Sequence, residues 1–156
     1  MSTPVILLIL MTAPYLVLRT LNMITERGFD VRGAGALGLA LLFIVTGIGH
    51  FTDTAAMAQM LPSWIPVRVA IVYITGVLEF AIAAGFLFNK TRRITGWIAV
   101  TILVLFLPAN VYAAIQRVPM GGHALGPVYL LIRVPLQLII LAWVYWFTIR
   151  GSNRRY

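Results

Sequence analysis

Val67-Arg-Val-Ala-Ile-Val-Tyr-Ile-Thr-Gly-Val-Leu-Glu79-Phe-Ala-Ile-Ala-Ala-Gly-Phe-Leu-Phe88 is an apolar run with one carboxylate far from either end. A helix needs about 20 such residues to cross the hydrocarbon core of a bilayer. At about 1.5 Å of rise per residue, Glu79 lies about 18 Å below Val67, near the midplane. Four more apolar stretches flank this one, at Pro4–Leu18, Gly33–Phe51, Ile94–Ala114 and Val128–Ile149. The chain therefore reads as one all-α domain over residues 1–156, a polytopic membrane helical bundle with five spans.

Composition agrees. Of the 156 residues, 61% are apolar and only 10% charged, against about 25% charged in an ordinary soluble domain. A soluble fold of this length could not bury so much apolar surface. The net charge of +8 would suit nucleic acid only as a basic stripe on a soluble surface. Here the cations form short runs between apolar stretches, so the expected partner is the lipid bilayer and not nucleic acid. The absence of cysteine removes disulfides, thiolate metal sites and dithiol redox chemistry.

The same cations predict orientation. Arg19, Arg27 and Arg32 follow the first stretch, Lys90, Arg92 and Arg93 the third, and Arg150, Arg154 and Arg155 the fifth. Positive residues concentrate on the cytoplasmic side. This places the N-terminus outside and the C-terminus inside, in a bacterial cytoplasmic membrane. The first stretch lacks a basic leader and a clear small-x-small cleavage site, so it reads as a retained helix. Phe51 to Pro62 reads as a short surface helix that Thr52 or Asp53 would cap and Pro62 would stop. Trp64, Trp97, Trp143 and Trp146 suit interfacial belts.

Ionisable and strongly polar groups inside a membrane are expensive and mark candidate sites. Five such groups fall in the outer half of four spans: His50, Glu79, Asn110, Arg133 and Gln137. Gly76 and Ala83 lie three before and four after Glu79, a small-residue face suited to close helix packing. Arg133 and Gln137 are four apart and share a face. Arg133 is the expected partner of Glu79, directly or through one water. Pro108 and Pro135 cannot bond to the carbonyls of Val104 and Leu131, so breaks are expected there, opening toward the polar cluster. Such groups can also simply staple helices together, at about 0.6 kcal/mol per hydrogen bond.

Gly47-Ile-Gly-His50-Phe51, Leu61-Pro62 through Ile65-Pro66, Thr75-Gly-Val-Leu-Glu79-Phe, Pro108-Ala-Asn110, and Arg133-Val-Pro135-Leu-Gln137 with Trp143 together resemble the DoxX-like family of small membrane proteins. The resemblance spans about Leu37 to Trp146. It implies a four-helix core with these motifs facing inward, plus one extra N-terminal transmembrane helix that the family pattern does not explain. It links the chain to quinone-coupled oxidation, membrane redox complexes, methylamine utilisation and, more distantly, receptor assembly chaperones and sterol-binding bundles.

Two functions compete on these grounds. The first is a subunit that binds a quinone or another lipophilic small molecule in a membrane redox system, with a redox partner protein and with Glu79 handling protons. The second is a non-enzymatic assembly or accessory protein whose polar cluster fixes the fold. A lipid- or sterol-isomerising enzyme is disfavoured, because the second acid or base such chemistry uses is not evident. Haem or copper held by His50, Met57, Met60, Met120 and His123 is also disfavoured. Methionine more often fills apolar gaps, and Gly121-Gly122 does not preform a ligand at His123.

Overall fold

A computed structural model describes residues 3–25 and 28–150. Within them the chain forms six α-helices: α1 (Thr3–Thr25), α2 (Val31–Thr52), α3 (Thr54–Gln59), α4 (Arg68–Leu87), α5 (Arg92–Ile115) and α6 (Leu130–Val144). A 3-10 segment, His123–Tyr129, leads into α6, and a π-helical turn, Tyr145–Ile149, follows it. Five of these helices, α6 taken with its flanking turns, are long and apolar enough to cross a membrane. The molecule is a helical membrane bundle.

The first helix is longer than its apolar stretch. It continues through Arg19 to Thr25, because Arg19 has a partner one turn back. Its guanidinium donates to the Tyr15 hydroxyl and lies 5.8 Å from the centre of that ring. Asn22 then clamps the connection, donating to the Phe29 carbonyl and accepting from the Phe29 N–H. Arg27 and the cations beyond Arg150 lie outside the described residues.

The other ends follow local chemistry. Asp30 caps α2 by accepting from the backbone N–H groups of Arg32 and Gly33, which would otherwise be orphaned. At the end of α4, the Thr91 hydroxyl donates to the Gly85 carbonyl and the Arg92 guanidinium to that of Phe86. These bonds satisfy carbonyls that a helix leaves open at its C-terminus. The short surface helix forms as α3. Asp53 stands at its N-cap without a side-chain capping bond, and accepts instead from the Thr52 hydroxyl.

Pro108 and Pro135 do not break their helices. α5 runs unbroken from Arg92 to Ile115 and α6 from Leu130 to Val144. Proline removes one backbone bond, and neighbouring groups take up the strain in a bundle. The departures from α geometry in the last span lie elsewhere, at Gly126 (φ 74°) and in the π-helical turn.

α2 packs against both α1 and α4, while α5 meets α4, α6 and the turns on either side of α6. Leu39, Phe43, Ile82, Phe86, Ala99, Leu103, Ile140 and Val144 form the apolar core with Leu7 and Met11 of α1. Trp143 departs from the interfacial belt. Its indole N–H donates to the Gly35 carbonyl, and its ring lies against Tyr15 and Phe147. Trp64, Trp97 and Trp146 are exposed.

Candidate functional site

The five polar residues fall into two linked groups. On the α2–α4 side, His50 Nε2 lies 3.6 Å from Glu79 Oε1. The other ring nitrogen, Nδ1, lies 2.9 Å from the Val72 carbonyl and 3.1 Å from the Thr75 hydroxyl oxygen. A carbonyl can only accept, so Nδ1 carries a proton and donates it. The Thr75 hydroxyl is within reach of the Ile71 and Val72 carbonyls as a donor, which leaves its oxygen free to accept from Nδ1. The tautomer is thereby assigned: Nε2 is the nitrogen that faces the carboxyl group.

That assignment defines the pair's chemistry. Either Nε2 also carries a proton, giving imidazolium against carboxylate, or it offers a lone pair to a protonated Glu79. Both forms hold one exchangeable proton between the two residues. At 3.6 Å the separation is that of an ion pair, and a small approach makes it a hydrogen bond. Burial favours either neutral form or a tight pair, since an unpaired charge in this setting is costly.

Close helix packing makes the contact. Gly76 is buried, and a Cβ built on it would lie 2.7 Å from His50 Cβ and 2.8 Å from the Phe51 ring. The absent side chain lets α4 lie directly on the end of α2. The small face around Glu79 thus does what its spacing implied.

On the α5–α6 side, Arg133 Nε donates to Asn110 Oδ1 at 3.0 Å, and Asn110 Nδ2 donates to the Phe106 carbonyl at 2.8 Å. Gln137 Nε2 donates to the Leu103 carbonyl at 2.6 Å. Leu103 precedes Val104, whose carbonyl loses its donor to Pro108, so the Gln137 amide reinforces α5 where proline weakens it. The two groups meet at Phe106, whose ring centre is 6.1 Å from that of His50.

The direct Glu79–Arg133 ion pair is not formed among the described residues; His50 is the basic group against Glu79. Glu79 is buried and Arg133 partly so, but α2 packs more closely on α4 than α6 does. Thr75 and Phe106 were not singled out from the sequence. Thr75 could have been, since it lies one turn from Glu79 on the same helical face.

Three of the five residues are buried, while His50 and Arg133 are partly exposed. Glu79 is 4%, Asn110 5% and Gln137 3% exposed. Glu79 Oε2 and Gln137 Oε1 are buried with no hydrogen-bond partner among the described residues. Native interiors rarely leave such atoms unpaired, and each marks a place for water, an ion or a ligand. A separate open hollow of about 480 Å³ lies between α3 and the start of α4, lined in part by Gln59, Ser63 and Arg68. His123 lies apart from His50. Its Nδ1 is 2.7 Å from the Met120 carbonyl, its ring sits edge-on to Tyr129, and its Nε2 is buried without a partner.

Five apolar spanning helices with a polar core define an integral membrane protein of the polytopic helical class. Residues 39–148 match a family described as a domain of unknown function, DUF8561, and the chain belongs to that family. All five polar residues lie within the matched region, and α1 lies outside it. No curated protein and no solved structure matches the chain.

Proposed function

We propose that this protein is a DoxX-like subunit of a bacterial cytoplasmic membrane that binds a quinone or similar lipophilic molecule at the Glu79–His50 pair. The observation that carries this reading is Glu79 Oε2, a buried carboxyl oxygen with no partner among the described residues, on a group whose other oxygen lies 3.6 Å from His50 Nε2. A hydroxyl of a quinol would donate to that oxygen, and the pair would hold the proton the hydroxyl gives up. When bound, the quinone supplies the redox chemistry, which this cysteine-free chain does not supply through thiols.

A second reading has its own observation. Asn110 and Gln137 spend their amide groups on the carbonyls of Phe106 and Leu103 beside Pro108. The Gln137 bond, like that from Arg133 to Asn110, ties α6 to α5, while the Asn110 amide turns back within its own helix; such groups hold a bundle together, and this favours an assembly or accessory protein. Mass spectrometry of lipophilic molecules retained after mild detergent purification separates the two. A quinone present in the native protein and lost on Glu79→Leu supports the first. A stable protein partner with no retained small molecule supports the second and removes the first.

A further inference from the structure

On the inner side of the polar cluster the buried side chains of its four helices become mainly apolar, down to Thr95 and Thr148 near the inner end, where the Thr148 hydroxyl is spent on the Val144 carbonyl. Outward from Glu79, the α4 core face reads Gly76, Thr75 and Val72; inward it reads Ile82, Ala83 and Phe86, all buried. In α2, His50 and Thr46 give way to Phe43 and Leu39. In α5, Asn110 gives way to Leu103 and Ala99, and in α6, Arg133 and Gln137 give way to Ile140 and Val144. Phe43 and Phe86, both essentially fully buried, lie 5.8 Å apart between ring centres and close the middle of the inner half.

The outer half differs in kind. His50 is near the end of α2, its carbonyl accepts from the Thr54 hydroxyl of α3, and its side chain remains 12% exposed. Beyond Arg133 come Tyr129 and the buried His123, whose rings meet edge-on. The ionisable group in contact with Glu79 is His50 from α2, whose ring also meets Phe106 of α5; the next charged group of the cluster is Arg133 of α6, which bonds the uncharged Asn110 of α5. Polar atoms thus run from Glu79 toward one end of the bundle. Glu79 Oε2 and Gln137 Oε1 are the orphaned acceptors a water arriving from that end would meet. A polar, partner-seeking site takes up water, whereas an apolar, packed one stays dry.

We infer that the Glu79–His50 pair exchanges protons with one face of the membrane only, the face that carries α3 and the 3-10 turn. The inner half, sealed by Phe43 and Phe86, gives it no aqueous access to the Lys90 face. On release, the O–H bond of Glu79 breaks and its proton passes through His50 Nε2 to water on the α3 side, leaving a carboxylate and a neutral imidazole. No electron moves in this step. The inference rests on Glu79 and His50 as a proton-handling pair, and is independent of which ligand they serve.

The test uses the full chain, reconstituted with one orientation into sealed vesicles buffered separately inside and outside. Starting from vesicles equilibrated in acid on both sides, so that the pair is loaded with protons, infrared difference spectra follow the carboxylic C=O band of Glu79, which Glu79→Gln abolishes and Glu79→Asp shifts. The aspartate variant keeps the assignment secure if the glutamine variant does not fold. An alkaline jump on the α3 face should bleach the band, while the same jump on the Lys90 face should leave it unchanged. Bleaching from the Lys90 face, or equally from both, overturns one-sided access and leaves the proton-handling pair standing. No response from either face overturns both.

Discussion

His50 Nε2 faces Glu79 Oε1 at 3.6 Å while His50 Nδ1 donates to the Val72 carbonyl, about two helical turns before Glu79 on α4. The imidazole is therefore held at both ends by the same neighbouring helix. Its orientation is fixed by backbone, and only the Glu79 end is free to exchange a proton.

This arrangement predicts strong coupling between the two residues. His50→Leu leaves Glu79 buried beside a hydrocarbon, and Glu79→Leu leaves the imidazole without its counter-group. Each single change should cost about 3 kcal/mol, as expected when one member of a buried pair is removed. The double change should recover most of that loss. Unfolding in a detergent titration gives the cycle. Additive losses would show that the two side chains do not act as a pair.

Gly76 predicts a second effect. With a Cβ only 2.7 Å from His50 Cβ, Gly76→Ala must push α4 away from α2. A loss of about 1–3 kcal/mol is expected from overpacking, with the His50 ring signals displaced in nuclear magnetic resonance spectra. Gly85→Ala changes the helix by the same methyl group but meets Thr95 instead, and should leave His50 unmoved. Equal His50 shifts in both variants would contradict the packing argument.

The Arg133 bond to Asn110 is made by Nε, a donor that lysine lacks in that position. Arg133→Lys should therefore behave as a loss, about 1–3 kcal/mol, the cost of leaving a buried polar group unmatched. Asn110→Leu should cost a similar amount, with little further loss in the double variant. A lysine variant as stable as the native protein would show that only charge matters here.

Much of this was legible in the sequence, for identifiable reasons. Five spans and the inward placement of Glu79, Asn110, Arg133 and Gln137 follow from hydropathy and from the cost of polar groups in lipid. The helix partner of Glu79 was not legible. Depth and face bring His50 and Arg133 to the same level, but only the packing of α2 on α4 through Gly76 decides between them. The unbroken course of α5 past Pro108 was also hidden, because the sequence does not show that Gln137 of another helix bonds the neighbouring Leu103 carbonyl. The full length of α1 depended on Tyr15 receiving Arg19.

Orientation is tested independently of the site. The basic segments around Lys90–Arg93 and Arg150 lie at one end of the bundle, which the positive-inside tendency assigns to the cytoplasm. A reporter active only in the cytoplasm, fused after Tyr156, should be active, and the same reporter in the Met120–His123 loop should be silent. The reverse result, with the protein inserted, would invert the topology.

The central claim is that Glu79 and His50 receive a hydroxyl-bearing lipophilic ligand. The most direct measurement is a titration of the purified protein with a short-chain benzoquinol and its quinone, in native form and as Glu79→Gln. Glutamine keeps the shape of the side chain but cannot accept a proton in its place. A hydrogen bond to a charged group contributes about 1.5–3 kcal/mol, and about 1.4 kcal/mol corresponds to a tenfold change in affinity. The account predicts that the native protein binds the quinol, and that Glu79→Gln weakens quinol binding about tenfold or more while the quinone changes less. Quinol affinity unchanged by Glu79→Gln, or no binding to the native protein, would contradict it.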